Sequence, residues 1–532
     1  MSFDPNSEPS NPETSGSGTQ SPYVVVFVLT LATFMSVLDS TVVNVSLPKM
    51  AGDLSSTPTE IVWIISAYIV ANVAILPISG WLATYFGRKR FYMACVAGFT
   101  VTSVLCGFAT NLETLIFFRI LQGLSAGGIA PSEQAIIADV TPIDKLGRIF
   151  SIYGLGISVA PVLGPTLGGY ITDTLSWHWI FFINLPIGII SLVLTSLFVK
   201  ESKQSEKLTT AFRQSGEGID WVGIFLFVTG IAALELLLSE GPKSGWLDST
   251  FILLILVYTI IALLVGIAWE YYRRNPAVDI FMFKDRGFTA SCILILAVSF
   301  VLSGVSFIIP FFTQTLLGYT AMDAGLIGLP GTIFQLFGIQ VMGYASDKTD
   351  IRRIIFAGLV LLVFAVWNFS GFNLNTSYND MVWARVYFSI SIAFVATTIN
   401  TVAYYGIRPE KNNSASALLN LSRNMGASFG VALTSTIIST QSQVHINNLT
   451  EHTNVLNPNF TGTINGLSQA LHDNGLTKIE AVGAAQGMMW HEVLSQATMN
   501  SILDAMHVYI ILHICIIPLV FLLKPKKSAT TS

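Results

Sequence analysis

The sequence predicts an all-α polytopic membrane protein: two pseudo-symmetric six-helix bundles joined by two extra transmembrane helices. Three observations predict it. Of the 532 residues, 52% are hydrophobic and only 11% are charged, about half the charged share of a soluble domain. Apolar stretches of about 20 residues, each long enough to cross a bilayer, recur from end to end. The chain also repeats. GWLATYFGRKR from Gly80 and GYASDKTDIRR from Gly343 are both basic loops that begin with glycine. Arg119 and Arg385, each inside an apolar span, follow them, and Gly164 and Gly430 lie 45 residues past those arginines. The offsets between halves are 263, 266 and 266 residues. Parallel repeats of this kind are a transporter arrangement.

Residues 1–22 are rich in Ser, Pro, Gly and Asn. They read as a disordered cytoplasmic tail, and not as a signal peptide, because no basic segment precedes the first apolar run. Fourteen spans follow, at 23–47, 61–83, 91–110, 114–138, 149–172, 179–199, 220–239, 251–269, 287–316, 323–345, 354–372, 381–405, 414–438 and 501–523. The first bundle occupies 23–199, a linker with the two extra spans 200–286, the second bundle 287–523, and a short tail 524–532. With the N-terminus placed inside, 21 Lys and Arg fall in inner loops and only Lys49, Lys243 and Lys478 in outer ones. This asymmetry puts both termini in the cytoplasm and supports an even number of spans. The outer loop 439–500 is too long for a turn and is expected to carry helix of its own. Asn448 and Asn459 begin N-x-T triplets there, a weak signal. The four cysteines all sit in apolar runs without metal-ligand spacing.

In the fifth span, Gly156, Ala160, Gly164 and Gly168 recur every four residues. On a helix they form a smooth stripe that admits a second backbone. Pro161 and Pro165 are expected to bend the helix. A bent, close-packed helix suits a moving seal between two bundles. A tightly packed helix with no gating role is the alternative. Gly154, Pro161, Gly164, Pro165, Gly168 and Gly169 are the candidate gating residues.

Ionisable groups inside spans are costly and suggest function. Asp39 and Arg119 fall at matching depth in the outer halves of spans 1 and 4. They suit either a pair tuned for protonation or a static ion pair. Glu133 lies fourteen residues past Arg119, on the same face of an ideal helix and about 21 Å further in. It is a second candidate proton site, or else a carboxylate satisfied at the cytoplasmic boundary. Glu235 is a third intramembrane carboxylate, in an extra span outside the repeats. Arg385 and Arg423 suit substrate or interface contacts, or a structural role. Tyr68, Gln122, Phe311, Gln314, Arg385 and Asn420 are candidates to line a substrate cavity, although span aromatics also serve as belt and packing. The basic loops (Gly80, Gly87, Arg88, Lys89, with Asp347 in the second copy) read as positive-inside anchors, or as tight turns that let Arg88 and Lys89 reach a neighbouring helix.

Five stretches carry a family resemblance: LDSTVVNVSLP (38–48), GWLATYFGRKR (80–90), RILQG (119–123), GPTLGG (164–169) and WHWIFFINLPIG (177–188), together with the extra spans entered through GIDWVG. The chain resembles the major facilitator superfamily, and within it the fourteen-helix drug:proton antiporter branch of the EmrB/QacA type, closest to the EmrB-like members. The resemblance covers about 23 to 523. It implies two six-helix bundles around a central cavity with alternating access. It also implies antiporter character from the Gly164–Pro165 stretch, and a link of Asp39 and Arg119 to proton coupling. One departure stands out: Thr84 occupies a position where the family usually has Asp, whereas the second copy keeps Asp347. This puts the inner-gate salt bridge of the first half in doubt. The EmrB subgroup works with a periplasmic adaptor and an outer-membrane channel, and the long outer loop resembles that subgroup.

The expected function is proton-coupled export of lipophilic or amphiphilic drugs and toxic compounds across a bacterial inner membrane. No cofactor is expected. Asp39→Asn is expected to abolish proton-driven export and leave the fold intact. A dedicated exporter of one metabolite or siderophore, and a ligand sensor that does not transport, are the rivals. An enzyme is not expected: the sequence has no nucleophile–base–orienter set, no metal cluster and no Walker loop.

Overall fold

The structure, a computed structural model, describes residues 21–214, 220–273, 276–451, 453 and 457–524. The predicted tails lie outside the described residues except for residues 21–22 and Lys524; so do Arg274 and the Gly218–Ile219 start of GIDWVG. Among the described residues, fourteen long helical segments carry the fold. The first half contains α1 (Pro22–Asp53), α2 (Trp63–Phe86), α3 (Arg88–Gly107), α4 (Leu112–Val140), α5 (Leu146–Thr174) and α6 (Trp179–Phe198). The extra pair is α7 (Trp221–Glu240) and α8 (Thr250–Tyr272). The second half contains α9 (Arg286–Leu316), α10 (Ala321–Lys348), α11 (Ile351–Phe369), α12 (Tyr378–Ala403), α13 (Asn412–Thr450) and α14 (Lys478–Ile516). Among the described residues, thirteen of these are long and apolar enough to span a bilayer. The other, α13, is long enough at 39 residues, but Asn412, Asn413, Asn420, Arg423 and Asn424 lower its apolarity.

Packing repeats with a shift of eight helices. α1 packs on α5 as α9 packs on α13; α2 on α4 as α10 on α12; α3 on α4 as α11 on α12. The two halves meet through α5 with α10 and α2 with α13, a pair of contacts related by the same shift. The extra helix α7 lies against α8, α2 and α13. Local chemistry sets the helix starts: Asn111, Thr320 and Ser377 each accept a backbone N–H in the first turn of α4, α10 and α12, an N-cap worth about 1 kcal/mol. Gly87, at φ 93°, makes the turn between α2 and α3. Glu201 then accepts the backbone N–H groups of Arg88 and Lys89 at 3.0 and 3.1 Å, a carboxylate at a helix N-terminus.

One expectation changes, and one is met in fuller form. The span 4 helix is not continuous: Leu112–Ala126 and Ile129–Val140 are separated at Gly127–Gly128. A Cβ at Gly127 would overlap Asn72 and Ile75 of α2, so this glycine serves close helix approach and not free space alone. The outer segment 439–500 is mostly helical: it is the end of α13, the helix Pro458–Asp473 and the first turns of α14.

Candidate functional site

The halves touch at the end that carries the basic loops. There the Asp347 carboxylate accepts the backbone N–H of Gly147, at the start of α5, at 3.2 Å. The equivalent place in the first half holds Thr84, whose Oγ1 accepts from Asn413 Nδ2 at the start of α13 (2.9 Å). Thr84 therefore keeps the contact as a neutral hydrogen bond. Arg88 pairs with Asp139 of α4 and donates to the Pro409 carbonyl of the second half at 2.9 Å. Asn412 also donates to Asp139, at 2.8 Å. Lys89 instead reaches the Ser196 carbonyl of α6. Glycine lets these ends close: a Cβ at Gly80 would come within 2.8 Å of the Asn413 carbonyl oxygen, and one at Gly147 or Gly343 would overlap Ser346 or Ser151. Further along, Gln340 Nε2 donates to the Ser151 carbonyl at 3.2 Å, and Asn420 Nδ2 to Gln134 Oε1 at 2.8 Å.

Beyond this seal, at mid-depth, lies a central cavity of about 360 Å³. Its walls include Thr33, Ser36, Tyr68, Tyr153, Asn420 and Arg423. The Arg423 guanidinium donates to Asn400 Oδ1 (2.6 Å) and Asn420 Oδ1 (3.2 Å). The lining contains no carboxylate among the described residues.

Two acidic sites flank the cavity inside the first bundle. Asp39 and Arg119, each 1% exposed, are joined at 2.6 Å. Asp39 also accepts from Gln122 Nε2 (3.1 Å) and Asn184 Nδ2 (2.8 Å). Arg119 donates to Gln122 and to the Ile64 carbonyl, and its guanidinium lies 4.2 Å from the Tyr68 ring centroid. Glu133 is fully buried and differently placed. It accepts from the Thr33 hydroxyl (2.5 Å), the Thr33 N–H (3.3 Å) and the Tyr92 hydroxyl (3.3 Å). Among the described residues no cation pairs with it. Thr33 lies 3.4 Å from the Tyr153 hydroxyl, and both line the cavity, so Glu133 is one hydroxyl away from it. Arg119 and Glu133 both turn toward α1 despite the break in α4.

The other sequence candidates are distributed unevenly. Tyr68 and Asn420 line the central cavity. Gln122 does not, because Asp39 and Arg119 draw its amide into their cluster. Gln314 is exposed in the π-helical turn that ends α9, and Phe311 stacks on Phe307 nearby; neither reaches the central cavity. Arg385 is half-buried in α12, 5.4 Å from the Phe388 ring, and is likewise absent from the cavity wall. The glycine stripe of α5 faces α1 of its own bundle. Cβ atoms at Gly156 and Gly164 would overlap Thr30 and Thr41, and one at Gly168 would stand 3.1 Å from Val42. Gly154 faces Thr397 of α12 at 3.7 Å, Gly169 meets nothing within 4 Å, and Pro161 and Pro165 are exposed. The helix is continuous through both prolines. Glu235 stands apart in α7, where it accepts from Ser428 of α13 at 2.6 Å.

Sequence reasoning missed Thr33, Tyr92 and Tyr153 around Glu133, Asn184 beside Asp39, and Asp139 opposite Arg88. Asn184 carried a signal, as an amide inside an apolar run. The hydroxyl residues carried none, since Ser, Thr and Tyr are common in spans.

The chain is similar to transporters across its length. The multidrug export protein EmrB of Haemophilus influenzae is 35% identical over 438 residues, covering 82% of this chain and 84% of that protein. The fatty acid resistance protein FarB of Neisseria gonorrhoeae is 31% identical over 501 residues, covering 94% and 96%. The crystal structure of the human organic anion transporter MFSD10 superposes with a TM-score of 0.59 at 13% identity, covering 92% of this chain and 99% of that one; this likeness concerns the fold. With residues 29–431 matching the Major Facilitator Superfamily, the chain belongs to that superfamily.

Proposed function

We propose that this chain is a proton-coupled exporter that expels lipophilic or amphiphilic drugs and toxic organic compounds by alternating access. We place it in a bacterial inner membrane with both termini in the cytoplasm and three parts at 23–199, 200–286 and 287–523. The observation that carries the reading is Glu133: a buried carboxylate held only by hydroxyl and amide donors, bordering the cavity through Thr33 and Tyr153. Protonation removes a charge that no cation balances. A substrate that turns the Thr33 and Tyr153 hydroxyls more firmly onto Glu133 favours the charged carboxylate and so competes with the proton, and this competition is the coupling an antiporter needs. Asp39 and Arg119 act as the second element, because opening their pair exposes two charges that must find new partners. The basic-end contacts (Thr84–Asn413, Asp347–Gly147, Arg88–Asp139) close the cytoplasmic side. The names of the relatives, a multidrug exporter and a fatty acid resistance protein, support amphiphilic substrates. The positive Arg423 in a cavity without a carboxylate favours acidic or neutral amphiphiles within that class.

The α13–α14 extension beyond the outer surface is a surface on which a periplasmic adaptor would dock. The deciding experiment is substrate flux in liposomes that hold only this protein, under an imposed pH gradient. Gradient-dependent flux lost in Glu133→Gln supports the reading. Equal flux with and without the gradient would overturn proton coupling.

A further inference from the structure

A second cavity, of about 440 Å³, opens beside the central one between α2, α7, α9 and α13. Its volume suits a small organic molecule. Glu235 of α7 is on its wall and is 3% exposed. One carboxylate oxygen accepts from Ser428; the other, Oε2, is buried and has no hydrogen-bond partner. A buried carboxylate oxygen left unpaired is costly, and no cation pairs with Glu235 among the described residues. The other ionisable group on the wall is Lys243, at the rim, and it is half exposed and already paired with Glu240 at 2.7 Å. Around Glu235 the walls are apolar (Val62, Val70, Leu238, Phe307, Val431) with scattered serine hydroxyls. Ile69 and Asn424 belong to both cavities, so the side chamber and the central chamber share a wall. Their charges are opposite: Arg423 on one side, Glu235 on the other.

We propose that this side chamber is a binding site for a monovalent organic cation with an apolar body, with Glu235 as its counter-ion. The cationic centre would sit against Oε2 and the body against Val70, Leu238, Phe307 and Val431. The extra helix α7 is what makes the chamber, since it alone supplies the carboxylate. This is a role for the added pair of helices that neither six-helix half contains. The chemistry is shared by two sources, a transported lipophilic cation and the ammonium headgroup of a membrane lipid.

Binding of tetraphenylphosphonium and of its anionic isostere tetraphenylborate to the full chain, in nanodiscs of phosphatidylglycerol, tests this. Binding needs no transport, so its failure leaves proton-driven export untouched. Glu235→Gln should weaken the cation by about tenfold or more and leave the borate unchanged. Val431→Trp, which fills the chamber and keeps the charge, should weaken the cation as well. Equal cation affinity in wild type and Glu235→Gln overturns the proposal, as does parallel loss of both ions in that variant, which would mark a structural role. Adding phosphatidylethanolamine separates the sources. Weaker phosphonium binding in wild type but not in Glu235→Gln assigns the site to a lipid ammonium; unchanged binding assigns it to a transported cation.

Discussion

The two carboxylates of the first bundle differ in what removing their charge leaves behind. Asn at position 39 would strand Arg119, 1% exposed, without its counter-ion, while Gln122 and Asn184 lose a charged acceptor. Breaking a buried pair from one side costs about 3–5 kcal/mol. Asp39→Asn is therefore expected to lower thermal stability in detergent as well as export, unlike the sequence expectation of an intact fold. The double variant Asp39→Asn/Arg119→Met should recover much of that stability and none of the export; a melting series of the two singles and the double checks it. Glu133 strands nothing, because a glutamine oxygen still accepts from the Thr33 N–H and the Tyr92 hydroxyl, and its NH2 can donate to the Thr33 hydroxyl. Glu133→Gln should keep the wild-type melting temperature and lose the pH dependence of substrate binding. In the wild type, binding should tighten as pH rises and the competing proton leaves. Unaltered pH dependence in the variant would reduce Glu133 to a packing group. Asp39, Arg119 and Glu133 were legible because charge is rare in an apolar run. Their different surroundings were not, since Thr33 and Tyr92 come from α1 and α3 and meet Glu133 only once those helices pack.

At the scale of elements, the seal is a symmetric device with one asymmetric residue. Asp347 and Thr84 occupy equivalent places at the ends of α10 and α2, and each reaches the first turn of a helix from the other half. A carboxylate there gains charge-assisted hydrogen bonding and the helix dipole; a hydroxyl gains only the neutral bond. Thr84→Asp should hold the basic end closed more firmly, by about 0.3–2 kcal/mol at this helix start, and slow turnover a few-fold. Gly80→Ala should do the reverse, because its methyl would press on the Asn413 carbonyl oxygen at 2.8 Å. Cysteine labelling of the cavity from each side of the membrane distinguishes the two: accessibility from the basic side should fall in the first variant and rise in the second. The repeat that locates this seal was readable from GWLATYFGRKR and GYASDKTDIRR. The partner of the α5 stripe was not. Small residues every four positions state that a helix comes close and not which one; α1 does, through Thr30, Thr41 and Val42. At Gly127–Gly128 the α4 helix breaks, which two glycines in an apolar run do not by themselves announce.

For the whole molecule, a second departure from two-fold repetition, besides the added pair α7 and α8, is the length of α13 and α14. α13 has 39 residues and so extends about 58 Å, against a hydrocarbon core of about 30 Å. α14 has 39 residues as well, and the two run together past the second bundle, with His445 Nε2 to Asp504 Oδ2 at 2.8 Å and the helix Pro458–Asp473 packed on α14. The halves meet through α2, α5, α10 and α13 at the opposite end, far from this projection. The projection is thus separate from the contacts that join the halves, and under the proposed function it is the surface that a second protein would use. Replacing residues 451–477 with a short Gly-Ser turn should leave gradient-driven flux in single-membrane liposomes within about twofold of wild type, since surface changes remote from packed contacts have small effects. The same variant should lose the ability to confer resistance on cells with two membranes, where substrate released into the periplasm can re-enter. If both assays fall together, the projection belongs to the transport machinery itself; if neither falls, the chain exports without an adaptor on this surface.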